Sequence, residues 1–176
     1  MMRSLTLLSP KEKLRFQQKS QQKRLQPNQL EKKVQELKKQ GNTIVTVNGS
    51  FDLLHAGHLQ LLYEASLQGD ILIVALNTDA SIRGYKSEKR PIIELEYRLQ
   101  MMSALEFVGY VTWFDELDPR NLLQKIKPHV HVNGAEYGKD CLEATTVVAN
   151  GGKIHIVKLI DGLSTSKIIE KIKTCE

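Results

Sequence analysis

Cysteine is nearly missing from this chain of 176 residues: Cys141 and Cys175 are the only two, far apart and at no metal-ligand spacing. That excludes a disulfide framework and a cysteine-built zinc site, and it points to a reducing, cytoplasmic compartment. Long apolar runs are missing too. The longest span a handful of residues, too few to cross a membrane, and the short stretch from Leu5 to Pro10 is too small for a secretory signal. A cationic body is the third absence. The net charge is +5, yet residues 1–40 hold 11 Lys or Arg against three Glu, whereas residues 41–176 hold 14 against 17 Asp or Glu. The basicity belongs to the tail, and a mildly acidic body argues against a nucleic-acid partner, because such domains place Lys and Arg clusters on the surface that meets phosphate.

What remains is globular. With 41% hydrophobic and 26% charged residues, the length suits one domain with little left over. Residues 1–28 read as a basic, glutamine-rich extension with little to bury, and residues 29–176 as the folded body with its leading helix. Ser9 before Pro10, with Glu12 following, is a helix start, and Asn28 with Glu31 after a break at Pro27 is a second. Leu30, Val34 and Leu37 recur at helical spacing, so the second helix can dock an apolar stripe before Gly41 ends it.

From Thr43 the pattern changes to short apolar segments alternating with helical ones. Strands are expected at 43–47, 71–77, 110–114, 129–133 and 153–158, and helices near 58–68, 94–106, 119–127, 140–150 and 165–173. Strand then helix, repeated, predicts an α/β fold: a doubly wound parallel sheet of about five strands, covered on both faces. Ligands bind such sheets at the carboxyl ends of the strands, where the strand order reverses.

The first strand runs into Asn48-Gly49-Ser50-Phe51-Asp52-Leu53-Leu54-His55-Ala56-Gly57-His58. Gly49 permits a sharp turn with nothing to obstruct a ligand, and a helix opening near His55 aims its free N–H groups at the same spot. His55 and His58 share one face of its first turn, and Gly57 between them removes a side chain that would hold a phosphate away. Two histidines at this spacing would also suit a surface or capping pair. Metal ligation is disfavoured because no third ligand follows at a conventional interval.

This run resembles the signature of the cytidylyltransferase-like nucleotidyltransferases, and the similarity extends over about 41–173. Within them it is most similar to bacterial D-glycero-β-D-manno-heptose 1-phosphate adenylyltransferases. Residues 76–83, 89–92, the arginine of 96–105 and the block 161–169 fall where that subfamily has its own motifs. Glycerol-3-phosphate cytidylyltransferases share the first and last blocks but usually carry an arginine where this chain reads Lys158-Leu159-Ile160-Asp161. The chain also has Asn133-Gly134-Ala135-Glu136-Tyr137 where Lys-Gly-Gly-Asp-Tyr is usual, losing a positive charge.

The resemblance implies a Rossmann-like fold and transfer of AMP from ATP to a sugar 1-phosphate, with Mg²⁺ accompanying the triphosphate. It also implies a homodimer. Such a reaction needs no general base, because a phosphate-monoester oxygen is already ionised; it needs charge neutralisation and alignment. His55 and His58 would donate to phosphate oxygens, Lys86 would swing over them, and Ser164 and Thr165 would hold the departing phosphates at the start of the last helix. Gly49, Ser50, Phe51, Asp52, Gly57, Arg98, Gly134 and Glu136 make up the expected nucleotide-binding set, with Asp52 orienting the loop or meeting the nucleotide through Mg²⁺ and Arg98 clamping a phosphate. Asn77 and Asp79 are the expected acceptor contacts. Plainer roles stand beside these: a solvated Lys86, an Arg98 paired with Glu94 on a helix surface, Ser164 and Thr165 as helix caps, Asn77 and Asp79 as turn formers. Two other functions also fit: a cytidylyltransferase acting on glycerol 3-phosphate or a similar phosphoalcohol, and a nucleotide-binding module without catalysis.

Overall fold

The computed structural model describes residues 9–175 apart from 139, 159 and 161. Residues 5–8 of the first apolar stretch, and Leu159 and Asp161 of the segment before the Ser-Thr motif, lie outside the described residues. Five strands form one sheet: β1 (Ile44–Gly49), β2 (Ile71–Asn77), β3 (Tyr110–Phe114), β4 (Val130–Gly134) and β5 (Lys153–Val157). Their order is β3-β2-β1-β4-β5 with every neighbour parallel. The pairs Gly49↔Leu76, Asn77↔Phe114 and Gly134↔Val157 set the carboxyl ends along one edge.

Alternation along each strand sends successive side chains into two separate cores. Val45, Val47, Leu72 and Val74 pack beneath α3 (Ala56–Ser66) and α5 (Leu95–Ala104), which contribute Leu62, Ala65, Leu99 and Met102. Ile44, Ile73 and Ala75 point the other way. There they meet Leu30, Val34 and Leu37 of α2 (Pro27–Lys39) and Leu122 and Ile126 of α6 (Arg120–Ile126). Burial on both faces explains why β2 reads as an unbroken apolar run rather than an alternating one. The α2 stripe is therefore spent on this chain's own sheet.

The helix preceding it, α1 (Pro10–Gln22), starts on the expected capping box: Ser9 Oγ accepts the Glu12 amide, and the Glu12 carboxylate accepts the Ser9 amide at 2.8 Å. No α1 residue is buried, but the chain beyond it is tied to the body. Leu25 N–H donates to the Val111 carbonyl at 2.8 Å and Val111 N–H to the Lys23 carbonyl at 2.9 Å, so residues 23–25 cover the free edge of β3. Lys23 Nζ donates to the Leu105 carbonyl at 2.6 Å, and Arg24 pairs with Glu96. Pro27 opens α2 instead of breaking the chain before it, because proline suits the first helical position.

Three further elements follow: α4 (Asp79–Tyr85), α7 (Ala144–Ala149) and α8 (Thr165–Lys173), with a 3₁₀ turn at Ala135–Tyr137. The short α4 was not expected from the sequence. Thr78 caps it, its Oγ1 accepting the Ser81 amide at 3.1 Å, so Asp79 begins a helix and is not a turn residue.

Candidate active site

Strand order reverses between β1 and β4, and a cleft opens at their carboxyl ends. After Gly49 the backbone turns through Phe51, whose φ of 45° is left-handed. A non-glycine residue held there stores on the order of 1–3 kcal/mol of strain, typical of a loop shaped for a ligand. The Phe51 ring is buried against the turn. A Cβ on Gly49 would lie 3.3 Å from it, and it meets His58 edge-on at 5.2 Å between centroids.

Asp52 anchors this loop from behind. Its side chain is fully buried; Oδ1 accepts the amides of Ile92 and Ile93 at 2.8 Å each, and Oδ2 accepts Arg90 Nε at 2.6 Å. Burial alone would raise the Asp52 carboxyl pKa, but the Ile93 and Ile92 amides and the Arg90 guanidinium outweigh it and hold the group below its ordinary value. Asp52 thus orients the loop, as one expectation had it; three of its roughly four acceptor sites are filled and its side chain is fully buried, so it presents no open oxygen to a nucleotide or Mg²⁺.

His55 is the N-cap of α3, and its Nδ1 accepts the His58 amide at 3.3 Å. That bond leaves the proton on Nε2 as a donor. The two imidazoles stack with centroids 3.8 Å apart and planes 17° from parallel. Burial lowers the His55 pKa, and burial, His55 and Lys86 push His58 down to about 4 against the opposing pull of the Leu53 backbone. Both rings are neutral at pH 7, each donating one N–H, and an incoming polyanion would draw their pKa values upward. Among the described residues His58 Nδ1 is buried without a hydrogen-bond partner. Gly57 lies against the ring of His55: a Cβ there would come within 3.1 Å of Cε1 and Nδ1, and 3.7 Å from the Leu163 carbonyl.

Lys86, just past α4, reaches across so that Nζ donates to Ser50 Oγ at 2.9 Å. Burial, then the nearby Arg90 and Arg98, lower its pKa while Asp52 works against them. On the far side Ser164 caps α8, its Oγ accepting the Lys167 amide at 3.3 Å, and Thr165 opens the helix. At the end of β4 the Glu136 carboxylate sits so close to Gly134 that a Cβ there would be 2.3 Å from Oε2.

Gly49, Ser50, Phe51, His55, Gly57, His58, Lys86, Gly134, Glu136, Ser164 and Thr165 therefore line one cleft. The N-termini of α3 and α8 both open onto it, so orphan amides, hydroxyls, two imidazoles and one ammonium converge on a single space.

Arg98 needs correction. Its side chain is fully buried, with Nε donating to the Ile93 carbonyl at 2.9 Å, Nη1 to the Ser50 carbonyl at 2.6 Å, and Nη2 to the Asn77 carbonyl at 2.9 Å and Asp79 Oδ1 at 2.7 Å. It is a strut joining the β1 loop to the end of β2, not a phosphate clamp, and Glu94 meets it only through the helix backbone. Asp79 is committed to Arg98, and Asn77 is buried with Nδ2 donating to Ser81 Oγ at 3.0 Å. Asn48, Tyr137 and Ser166, which the sequence did not single out, also line the cleft; their positions follow from strand order, which spacing along the chain does not encode. Among the described residues no cluster of three His, Cys, Asp or Glu could hold a metal ion, and no helix is long and apolar enough to cross a membrane.

A five-stranded parallel sheet with a donor-lined cleft at its reversal point, opened by His-x-Gly-His, is the nucleotidyltransferase-like Rossmann fold. The chain belongs to the cytidylyltransferase-like family, whose model matches residues 46–171. It is 46% identical over 136 residues to the bifunctional protein HldE of Geobacter sulfurreducens, covering 77% of this chain and 28% of that protein. To the bifunctional protein HldE of Marinomonas sp. it is 40% identical over 148 residues, covering 84% and 31%. The chain thus spans under a third of the length of these relatives. Among solved structures, a lipopolysaccharide core biosynthesis protein from Thermoplasma volcanium superposes with a TM-score of 0.56 at 29% identity, covering 68% of this chain and 98% of that one. A pantoate-beta-alanine ligase from Francisella tularensis reaches the same TM-score, 0.56, at 17% identity and shares the fold.

Proposed function

We propose that the chain moves AMP from ATP onto a sugar 1-phosphate, with D-glycero-β-D-manno-heptose 1-phosphate as the acceptor, and releases pyrophosphate. The observation that carries this reading is the cleft itself: two neutral stacked imidazoles, Lys86 and two helix N-termini turned onto one space at the strand reversal. An ionised oxygen of the acceptor phosphate forms a bond to the α-phosphorus as the bond from that phosphorus to the β-phosphate oxygen breaks, and pyrophosphate leaves with the electron pair. His55 and His58 donate N–H groups to oxygens that gain charge in the transition state, while the α8 N-terminus holds the leaving phosphates and Lys86, on the opposite wall, neutralises the α-phosphoryl and attacking phosphate oxygens. With Asp52 committed elsewhere and Glu136 the one carboxylate among the described residues lining the cleft, Mg²⁺ would be held mainly by the triphosphate, where it would supply charge neutralisation.

The heptose assignment is supported by the names of the relatives, bifunctional HldE and a lipopolysaccharide core biosynthesis protein, and it assigns the reaction to ADP-heptose synthesis for the lipopolysaccharide core. We assign the reaction to the cytoplasm and the working unit to a homodimer whose contact lies away from residues 49–58. Free Cys141 and Cys175 suit a reducing compartment. A light-scattering mass of a single chain would contradict the dimer.

The test is pyrophosphate release with Mg²⁺ and each of the four nucleoside triphosphates, offered heptose 1-phosphate or glycerol 3-phosphate. ATP with the heptose is the expected productive pair. Turnover confined to CTP would overturn the adenylyl reading, and ATP binding without pyrophosphate from any phosphorylated sugar would replace catalysis by binding alone.

A further inference from the structure

A second cavity opens beside the cleft, on the other side of the β1 and β4 ends, and the two are continuous, sharing Asn48, Ser50, Lys86, Asn133 and Glu136 among other residues. Strand alternation produces this division. Val45, Val47 and Val132 belong to the core under α3, so Thr46, Asn48, His131 and Asn133 face the opposite layer. The second cavity carries Asn48, Asn77, Asn133 and the carboxylates of Glu136 and Glu143 in its wall.

These groups are loosely paired, with Cys141 and His131 beside Asn133 and Glu143. Asn133 is 6% exposed and Glu143 7%, and the hydrogen bond between them, from Asn133 Nδ2 to Glu143 Oε2, is 3.5 Å, at the long limit for such a contact. A carboxylate has roughly four acceptor sites, so Glu143, with Asn133 and the Cys141 thiol beside it, keeps unused capacity beside the cavity. Asn48 Oδ1 is buried with no partner among the described residues. Buried polar atoms are normally paired, so under-satisfied acceptors around a cavity are what a ligand rich in hydroxyl groups would complete. Charge sets the direction. Lys86, on the wall shared with the cleft, is the one cation among the cavity's described lining residues, whereas Glu143 and Glu136 would repel an anion from the rest of the wall.

We infer that this second cavity holds the acceptor, its phosphate at Lys86 and Ser50 and its hydroxyls at Glu143, Asn133 and Asn48, and that Glu143 selects a polyhydroxylated acceptor. The inference rests on the transfer reaction proposed above and assigns the acceptor a site that does not involve Asp79. A small phosphoalcohol would leave the Glu143 carboxylate unpaired, which disfavours it relative to a sugar.

Steady-state pyrophosphate release on the full chain, with ATP saturating and heptose 1-phosphate varied, tests it by comparing the parent with Glu143→Gln, which keeps size and exchanges an acceptor for a donor. The KM for the sugar phosphate rises by about tenfold or more, while the KM for ATP stays unchanged and shows that the cleft is intact. A second check needs only the parent protein: heptose 1-phosphates lacking one hydroxyl at a time. At least one analogue loses about tenfold in kcat/KM with the parent, and that penalty shrinks in Glu143→Gln. An unchanged acceptor KM in Glu143→Gln at normal ATP turnover, or equal kcat/KM for every deoxy analogue, overturns the assignment and leaves the transfer reaction standing. No pyrophosphate from the parent with any sugar 1-phosphate overturns the transfer reaction and this inference together.

Discussion

Replacing His58 with alanine separates a catalytic role from a packing role. The substitution removes one N–H donor from the cleft, the ring stacked on His55 at 3.8 Å and the edge contact with Phe51 at 5.2 Å. A preorganised donor aimed at a developing oxyanion is worth roughly 3–4 kcal/mol, or about 10²–10³ in rate. His58 is neutral, with its pKa near 4, so the donor is an uncharged N–H and the lower end of that range applies: a loss of about 10². Stability changes less, because the lost packing is partly offset by removing a buried Nδ1 that has no partner among the described residues; a net loss of roughly 1 kcal/mol is expected. The assay is single-turnover transfer from saturating ATP to heptose 1-phosphate, alongside calorimetric ATP affinity and a melting curve on the same preparation. The rate falls about 10², ATP Kd changes less than about threefold, and His58→Asn, which keeps a shorter donor, recovers part of the loss. A variant that melts earlier yet transfers at close to the parent rate per folded molecule would remove His58 from the mechanism.

Three further predictions follow from the surroundings of the cleft. Asp52→Asn breaks the buried pair with Arg90, whose Nη2 has no partner among the described residues, and should cost about 3 kcal/mol in urea unfolding; a change under about 0.5 kcal/mol would contradict the anchoring role. Gly57→Ala puts a methyl 3.1 Å from the His55 ring, so turnover should fall about tenfold while the melting temperature holds or rises, since alanine favours a helix over glycine; normal turnover would show that His55 can shift freely. His58 has a folded pKa near 4 against an ordinary 6.5, so the unfolded chain binds the extra proton first. Stability is therefore full above about pH 6.5 and declines toward pH 4 by on the order of 3 kcal/mol from this group, and His58→Asn should flatten that part of a pH series of unfolding curves; an unaltered slope would contradict the buried neutral ring.

Much of this architecture was legible in the sequence because its signals are local. The strand segments stand out as short apolar runs between helical ones, and all five occur within a residue or two of where they were expected. The Gly49-to-His58 segment was legible for the same reason, since a turn glycine and two histidines on one helical face depend only on neighbours in the chain. Arg98 was misread because nothing near it reveals that the β1 loop and the end of β2 close over it; its four hydrogen bonds go to Ser50, Asn77, Asp79 and Ile93, three of them far away in sequence. Seven residues ending in Gly84-Tyr85 are too few to display a helical period, so α4 escaped notice, and with it the support that aims Lys86 at Ser50. The docking of residues 23–25 on β3 was hidden by composition, because backbone hydrogen bonds to an edge strand need no apolar side chains.

The central claim is that an oxygen of the acceptor phosphate attacks the α-phosphorus of ATP in the His55 and His58 cleft. Heptose 1-phosphate carrying heavy oxygen in its phosphate, incubated with unlabelled ATP and Mg²⁺, tests this most directly when both products are weighed by mass spectrometry. The account predicts all of the label in ADP-heptose, none in pyrophosphate, and equal amounts of the two products. Label in the released pyrophosphate, or pyrophosphate formed without labelled ADP-heptose, would contradict it.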